Sequence, residues 1–178
     1  MKKNNFIFEI KNKIVEIDNK KLNETVSLIK KIPKKNKIIL AGNGASASIS
    51  SHLSIDLTKA AGVRAINFNE ASLLTCFGND FGYENWIKKA LDYYLIPKDI
   101  VILVSSSGKS KNVVNAAKFL KKKNSELITL TGLNKSNPLK KYGKINFFVN
   151  SNNYNVVEST HLVILLSIVE KLINQKKK

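Results

Sequence analysis

Four serines fall within six residues, Ser105, Ser106, Ser107 and Ser110, around Gly108 and Lys109. They end an apolar run and precede a helical pattern from about Asn112. Hydroxyls at that density, with the free amides of a helix's first turn, can hold a phosphate without arginine. A polar loop that merely caps the helix would also use serine. Four in six residues at the carboxyl end of a strand favour the anion site. The segment is not a P-loop, because the first glycine and the spacing to Gly-Lys-Ser are missing. Upstream, Gly42-Asn43-Gly44-Ala45-Ser46 follows another apolar run and enters a helix. Small residues let the backbone approach a ligand closely, though an ordinary strand-to-helix turn has the same composition.

The chain has two histidines, His52 and His161. Asp56 lies four residues after His52, and Glu158 lies three before His161. Either spacing puts both side chains on one helical face, where they can share a proton or meet at a metal. Equally, His52 and Asp56 can form a plain surface pair, and His161 can be a buried histidine hydrogen-bonded to Glu158.

These residues need elements to position them. Phe6, Ile10, Ile14 and Ile17 have helical spacing, continued by Leu22, Val26 and Ile29 until Pro33 and the lysines after it. Such a helical arm can dock on a partner subunit or on its own core. Beyond it, strands are predicted over Lys37–Ala41, Arg64–Phe68, Ile100–Val104, Glu126–Leu130 and Ile145–Val149. Helices are predicted over Ser46–Ala60, Ile87–Leu95, Asn112–Lys122 and Val157–Ile173, with a turn at Gly78-Asn79-Asp80-Phe81-Gly82. Strands that are apolar throughout and alternate with helices indicate a parallel sheet covered on both faces. The expectation is one doubly wound α/β domain over 1–178, with an N-terminal arm over 1–34 and a core over 35–175. Ligands of such sheets bind beyond the strands' carboxyl ends, where both small-residue loops fall.

Composition narrows the class. At 178 residues, 43% hydrophobic and 24% charged, the chain suits one core. No apolar run approaches the roughly 18 residues a membrane span needs, and the start lacks the apolar stretch of a signal peptide. A single cysteine, Cys76, permits no internal disulfide and suits a reducing cytoplasm; it reads as a small buried apolar residue. The net charge of +17 suggests nucleic acid, but all the basic residues except Arg64 are lysine and they are scattered. Base readout and bidentate phosphate contacts favour arginine. The clusters at Lys30–Lys37, Lys121–Lys123 and Lys176–Lys178 read as solvated surface and a frayed tail, so nucleic acid is not expected as a partner.

Taken in order, GNGAS (42–46), GNDFG (78–82), SSSGKS (105–110) and LTG (130–132) resemble the sugar isomerase (SIS) family, and within it the phosphoheptose isomerases. The resemblance implies a three-layer sandwich around a five-stranded parallel sheet in flavodoxin-like order. It implies a homotetramer with sites between subunits, converting sedoheptulose 7-phosphate to a manno-heptose 7-phosphate for surface-polysaccharide synthesis. Carried over by position, Ser105, Ser106, Ser107 and Ser110 would hold the phosphate. Asn43, Gly44 and Ser46 would line the sugar site, with Asn79 and Asp80 nearby from this or a neighbouring subunit.

Isomerisation through an enediol needs a base that moves a proton between C1 and C2, and an acid for the oxygens. A divalent metal can polarise the carbonyl. Family enzymes carry His and Glu four apart on the first core helix, then Gln and His eight apart on the last. Here the first pair is His52 and Asp56. Glu158 replaces the Gln and Leu166 the closing His, and His161 matches a histidine many relatives carry. The resemblance therefore implies Asp56, Glu158 and His161 as catalytic groups. It implies His52, Asp56 and Glu158 as ligands to a divalent metal such as zinc, with His161 as a substitute. The rivals are an isomerase for another sugar phosphate, a non-catalytic SIS-domain sensor or assembly factor, and a nucleic-acid binder.

Overall fold

A computed structural model describes residues 5–176. The first four residues and the end of the basic tail, Lys177 and Lys178, lie outside them. Helices α1 (Asn5–Val15) and α2 (Asn19–Lys30) lead into a sheet of β1 (Ile38–Ala41), β2 (Ala65–Asn67), β3 (Ile100–Ser105), β4 (Glu126–Gly132) and β5 (Ile145–Val149). All pairings are parallel and the order is β2-β1-β3-β4-β5. The connecting helices are α3 (Ala45–Lys59), α4 (Ala71–Phe81), α5 (Trp86–Tyr94) and α6 (Lys111–Lys122). Helix α7 (Tyr154–Lys176) follows β5. The five-stranded parallel fold expected from the sequence is the one observed.

Alternation along the strands divides the core in two. Ile38 and Leu40 of β1, with Ile100, Ile102 and Val104 of β3, pack against α2, α3 and α7. Ile39, Ala41, Val101 and Leu103 face the other way, onto Trp86, Ile87, Leu91 and the apolar side of α6. β1 and β3 are buried at every residue, as strands covered on both faces must be. Helix α1 packs against α7. Phe6, Ile10 and Ile17 of its predicted stripe are half-buried, and Ile14 is exposed.

Two sequence expectations change. The Gly78–Gly82 segment is the last turn of α4 rather than a free turn, and Gly82 (φ 79°) ends the helix. Glu70 caps its start, accepting from the amides of Ser72 (2.9 Å) and Leu73 (2.8 Å); these bonds hold the carboxyl below its usual range. Cys76 is exposed on this helix, not buried. Partial desolvation, and then the Asp80 carboxylate 3.6 Å from its sulfur, raises its thiol pKa. This argues against a thiolate nucleophile.

Two buried titratable groups hold opposite ends of the sheet. At the amino end, Asp99 accepts from Lys37 Nζ (2.7 Å), Asn36 Nδ2 (2.8 Å), Lys37 N (3.0 Å) and Ile96 N (3.1 Å). Desolvation works to raise its pKa, but the bonds from Lys37, Asn36 and the two amides prevail and lower it. At the carboxyl end, His161 is fully buried with Nε2 3.1 Å from the Thr131 carbonyl. That carbonyl only accepts, so Nε2 carries the proton and the neutral ring leaves Nδ1 without a partner. Burial lowers the His161 pKa to about 4, against a smaller opposing effect of the Thr131 contact.

Both groups bind fewer protons folded than unfolded, so both make acid destabilising. The His161 contribution falls as pH drops from 6.5 to about 4, a loss on the order of 3 kcal/mol. The Asp99 contribution is complete above its ordinary carboxylate range and is lost as pH falls through the lowered folded value. Urea denaturation across this range should show stability declining from below pH 6.5, with the slope reduced in His161→Leu. At pH 7, Asp99→Ala should cost about 3 kcal/mol by stranding Lys37 and Asn36.

Candidate active site

In the order 2-1-3-4-5 the chain turns outward in opposite directions from β1 and β3, which opens a crevice at their carboxyl ends. β1 and β3 are direct neighbours, so the loops after them meet there. Gly42 is buried, and a Cβ on it would lie 2.8 Å from the Val104 carbonyl and 2.7 Å from Ser46 Cβ. Only glycine fits the approach of this turn to β3. Gly44 (φ 55°) then starts α3 without a side-chain cap, and Ser46 is buried in the first turn.

After β3, Gly108 (φ 62°) turns the chain into α6, with its amide on the Ser105 carbonyl (2.9 Å). A Cβ there would collide with the Asn137 side chain. The Gly132 amide donates to the Ser106 carbonyl (2.9 Å), and the Leu139 amide to the Gly108 carbonyl (3.2 Å). The loop's backbone is thus held from β4 and the turn after it, leaving its hydroxyls for other partners. Ser105 and Ser110 share a hydrogen bond (Oγ to Oγ 3.3 Å), and Ser107 Oγ accepts from the Lys109 amide (3.2 Å). No side chain caps α6. Two uncapped helix starts therefore lie on adjacent strands, an arrangement suited to an anion.

Ser106 differs from the other three serines. Its hydroxyl donates to Glu158 Oε1 (3.2 Å), tying the half-buried carboxylate on the first turns of α7 to the loop. This contact had no signal in the sequence, since 52 residues separate the pair. Asn112 is a second residue the sequence did not single out. It is 1% exposed and pairs with Asn43 through both carboxamides.

His52 Nε2 and Asp56 Oδ2 lie 3.1 Å apart on α3, with 58% and 31% of their side chains exposed. His161 points away from Glu158, to Thr131. Asn79 and Asp80 are exposed on α4, where Asn79 Nδ2 donates to Asp80 Oδ1 (3.0 Å). Among the described residues no three His, Cys, Asp or Glu side chains are grouped to hold a metal ion. His52 and Asp56 pair with each other while Glu158 is taken by Ser106. Leu166, where the family has its closing histidine, packs against the core. Within one chain these donors do not form a zinc cage.

Among the described residues no helix is long and apolar enough to cross a membrane. The SIS domain model matches residues 4–132. The chain is 30% identical to the phosphoheptose isomerase of Buchnera aphidicola subsp. Schizaphis graminum, covering 82% of this chain and 79% of that one. It is 32% identical to the phosphoheptose isomerase of Sulfurimonas denitrificans, covering 92% and 90%. Among solved structures, the phosphoheptose isomerase of Neisseria gonorrhoeae superposes with a TM-score of 0.84 over 93% of this chain and 91% of that one, at 22% identity. With its switch-point loops and this likeness to curated relatives along most of its length, the chain belongs to the SIS domain family, among the phosphoheptose isomerases.

Proposed function

We propose that the chain is an aldose–ketose isomerase of a phosphorylated sugar, interconverting sedoheptulose 7-phosphate and D-glycero-D-manno-heptose 7-phosphate. The observation that carries this reading is the Ser106–Glu158 hydrogen bond (3.2 Å). It sets a carboxylate at the switch point, in the same crevice as the loop suited to a phosphate.

The phosphate would sit on Ser105, Ser107, Ser110 and the first turn of α6. Glu158 would take the proton from C1 of the ketose. The electron pair of that C–H bond becomes the C1–C2 double bond of an enediol as the C2 oxygen gains a proton. Returning the proton to C2 while O1 loses its own gives the aldose, with no net change in hydrogens. Asp56, paired with His52, would serve the oxygens as acid and base. The reading is supported by the names of the curated relatives and by the neutral donors at the switch point.

Asn79 and Asp80, exposed on α4, suit a site completed by a neighbouring subunit. On α1, Ile7, Phe8, Ile14 and Val15 are 64%, 63%, 37% and 79% exposed, an apolar face that suits burial in a homotetramer. Light scattering should give four chains per particle, and Phe8→Asp should lower that number.

Incubation with sedoheptulose 7-phosphate, followed by NMR, should show the aldose forming. Glu158→Gln should reduce turnover by roughly 100-fold or more, and Asp56→Ala should also reduce it. Ser106→Ala should give a smaller loss. No turnover in any arm would overturn the isomerase reading.

A further inference from the structure

The Asn43 carboxamide is held from two sides. Its Nδ2 donates to Asn112 Oδ1 and its Oδ1 accepts from Asn112 Nδ2, both at 2.9 Å. The same Oδ1 accepts from the Tyr83 hydroxyl at 3.2 Å. One backbone group sets the direction of all these bonds. The Val113 amide, which can only donate, lies 3.0 Å from Asn112 Oδ1, so that atom is the oxygen and the nitrogen faces Asn43. Head-to-tail pairing then puts Asn43 Oδ1 opposite Asn112 Nδ2. The Tyr83 hydroxyl meets an oxygen, so it must donate.

Reversing Asn112 would set its NH2 against the Val113 amide at a residue 1% exposed, where water cannot compensate. The orientation is therefore fixed. Tyr83, by contrast, is 54% exposed, and water would satisfy its hydroxyl as well as Asn43 does. The fold does not need this contact. Its consequence is local: with the oxygen occupied by two donors, Asn43 keeps one unused Nδ2–H and no comparable accepting capacity.

We propose that Tyr83 and Asn112 are positioning residues that make Asn43 a donor-only reader of the ligand, so that the group it meets is a hydrogen-bond-accepting oxygen of the sugar. This rests on the isomerase reading for placing a sugar phosphate at the switch point. It goes beyond that reading by assigning roles to two residues outside the phosphate loop and the carboxylates. A fixed N–H also favours an oxygen that gains negative charge during enolisation, because the donor need not reorganise.

The test is Tyr83→Phe, which keeps the ring and removes only the donor. With sedoheptulose 7-phosphate, kcat/KM should fall between roughly twofold and tenfold, the scale of one hydrogen bond. Competitive inhibition by inorganic phosphate and the thermal midpoint should not change, since the serine loop is untouched. Asn112→Asp keeps the acceptor for Val113 but loses the donor to Asn43, and should give a larger fall in the same pattern. In ligand-free protein, the Asn43 side-chain amide resonances should shift in Tyr83→Phe. Wild-type kinetics in Tyr83→Phe would overturn the inference, as would phosphate inhibition weakened in parallel. If the wild-type protein turns nothing over, the functional reading fails separately, and the amide spectra decide. Asn43 resonances unmoved by Tyr83→Phe or by added sedoheptulose 7-phosphate would overturn the positioning; a shift under both would uphold it.

Discussion

The architecture depends on the close packing of β1 against β3 in a sheet buried on both faces. Parallel neighbours joined by crossovers send the chain to opposite sides, so the loops after these two strands diverge and leave a crevice between them. The crevice stays narrow because Gly42 brings the first loop within reach of the Val104 carbonyl. A side chain there would push α3 away from β3 and separate the two uncapped helix starts. Their adjacency makes the crevice one polar site suited to an anion rather than two unrelated turns.

The sheet divides its polar groups between its ends. At the amino end, Asp99 draws four donors to one buried carboxylate, and stability is the result. At the carboxyl end, backbone bonds hold the loops: Gly132 to Ser106, Leu139 to Gly108, Gly108 to Ser105. Because main chain secures the loop, its hydroxyls need not. Ser106 is thereby available to hold Glu158, and Ser105 and Ser110 keep no strong bond beyond their mutual one.

What the sequence showed follows from the range of each interaction. Strand positions were legible because burial on both faces writes an apolar run, and β5 coincides with its predicted Ile145–Val149. The loops were legible because glycine and serine are needed locally. Helix α4 was missed although Leu73, Leu74, Phe77 and Phe81 have helical spacing, because Gly78, Asn79 and Gly82 at its end read as a turn. Contacts spanning tens of residues left no local trace. Ser106 with Glu158 and Asn43 with Asn112 both depend on strand order, which local patterning does not encode. His161 was visible as a titratable group beside Glu158. Only the path of α7 over β4 shows that its ring turns to Thr131 instead.

A chain with 29 lysines for one arginine, at a net charge of +17, could be expected to bind phosphate through charge. The switch point offers neutral donors instead. At physiological ionic strength screening acts over about 8 Å, so scattered surface lysines raise the local concentration of an anion without fixing its orientation. Serine hydroxyls and helix amides hold direction, because each is tied to a backbone that cannot turn. A single hydroxyl from Ser106 orients the Glu158 carboxylate there. Abundant lysine outside and hydroxyls at the switch point are thus compatible with the proposed phosphate site: one would gather the anion, the other would place it.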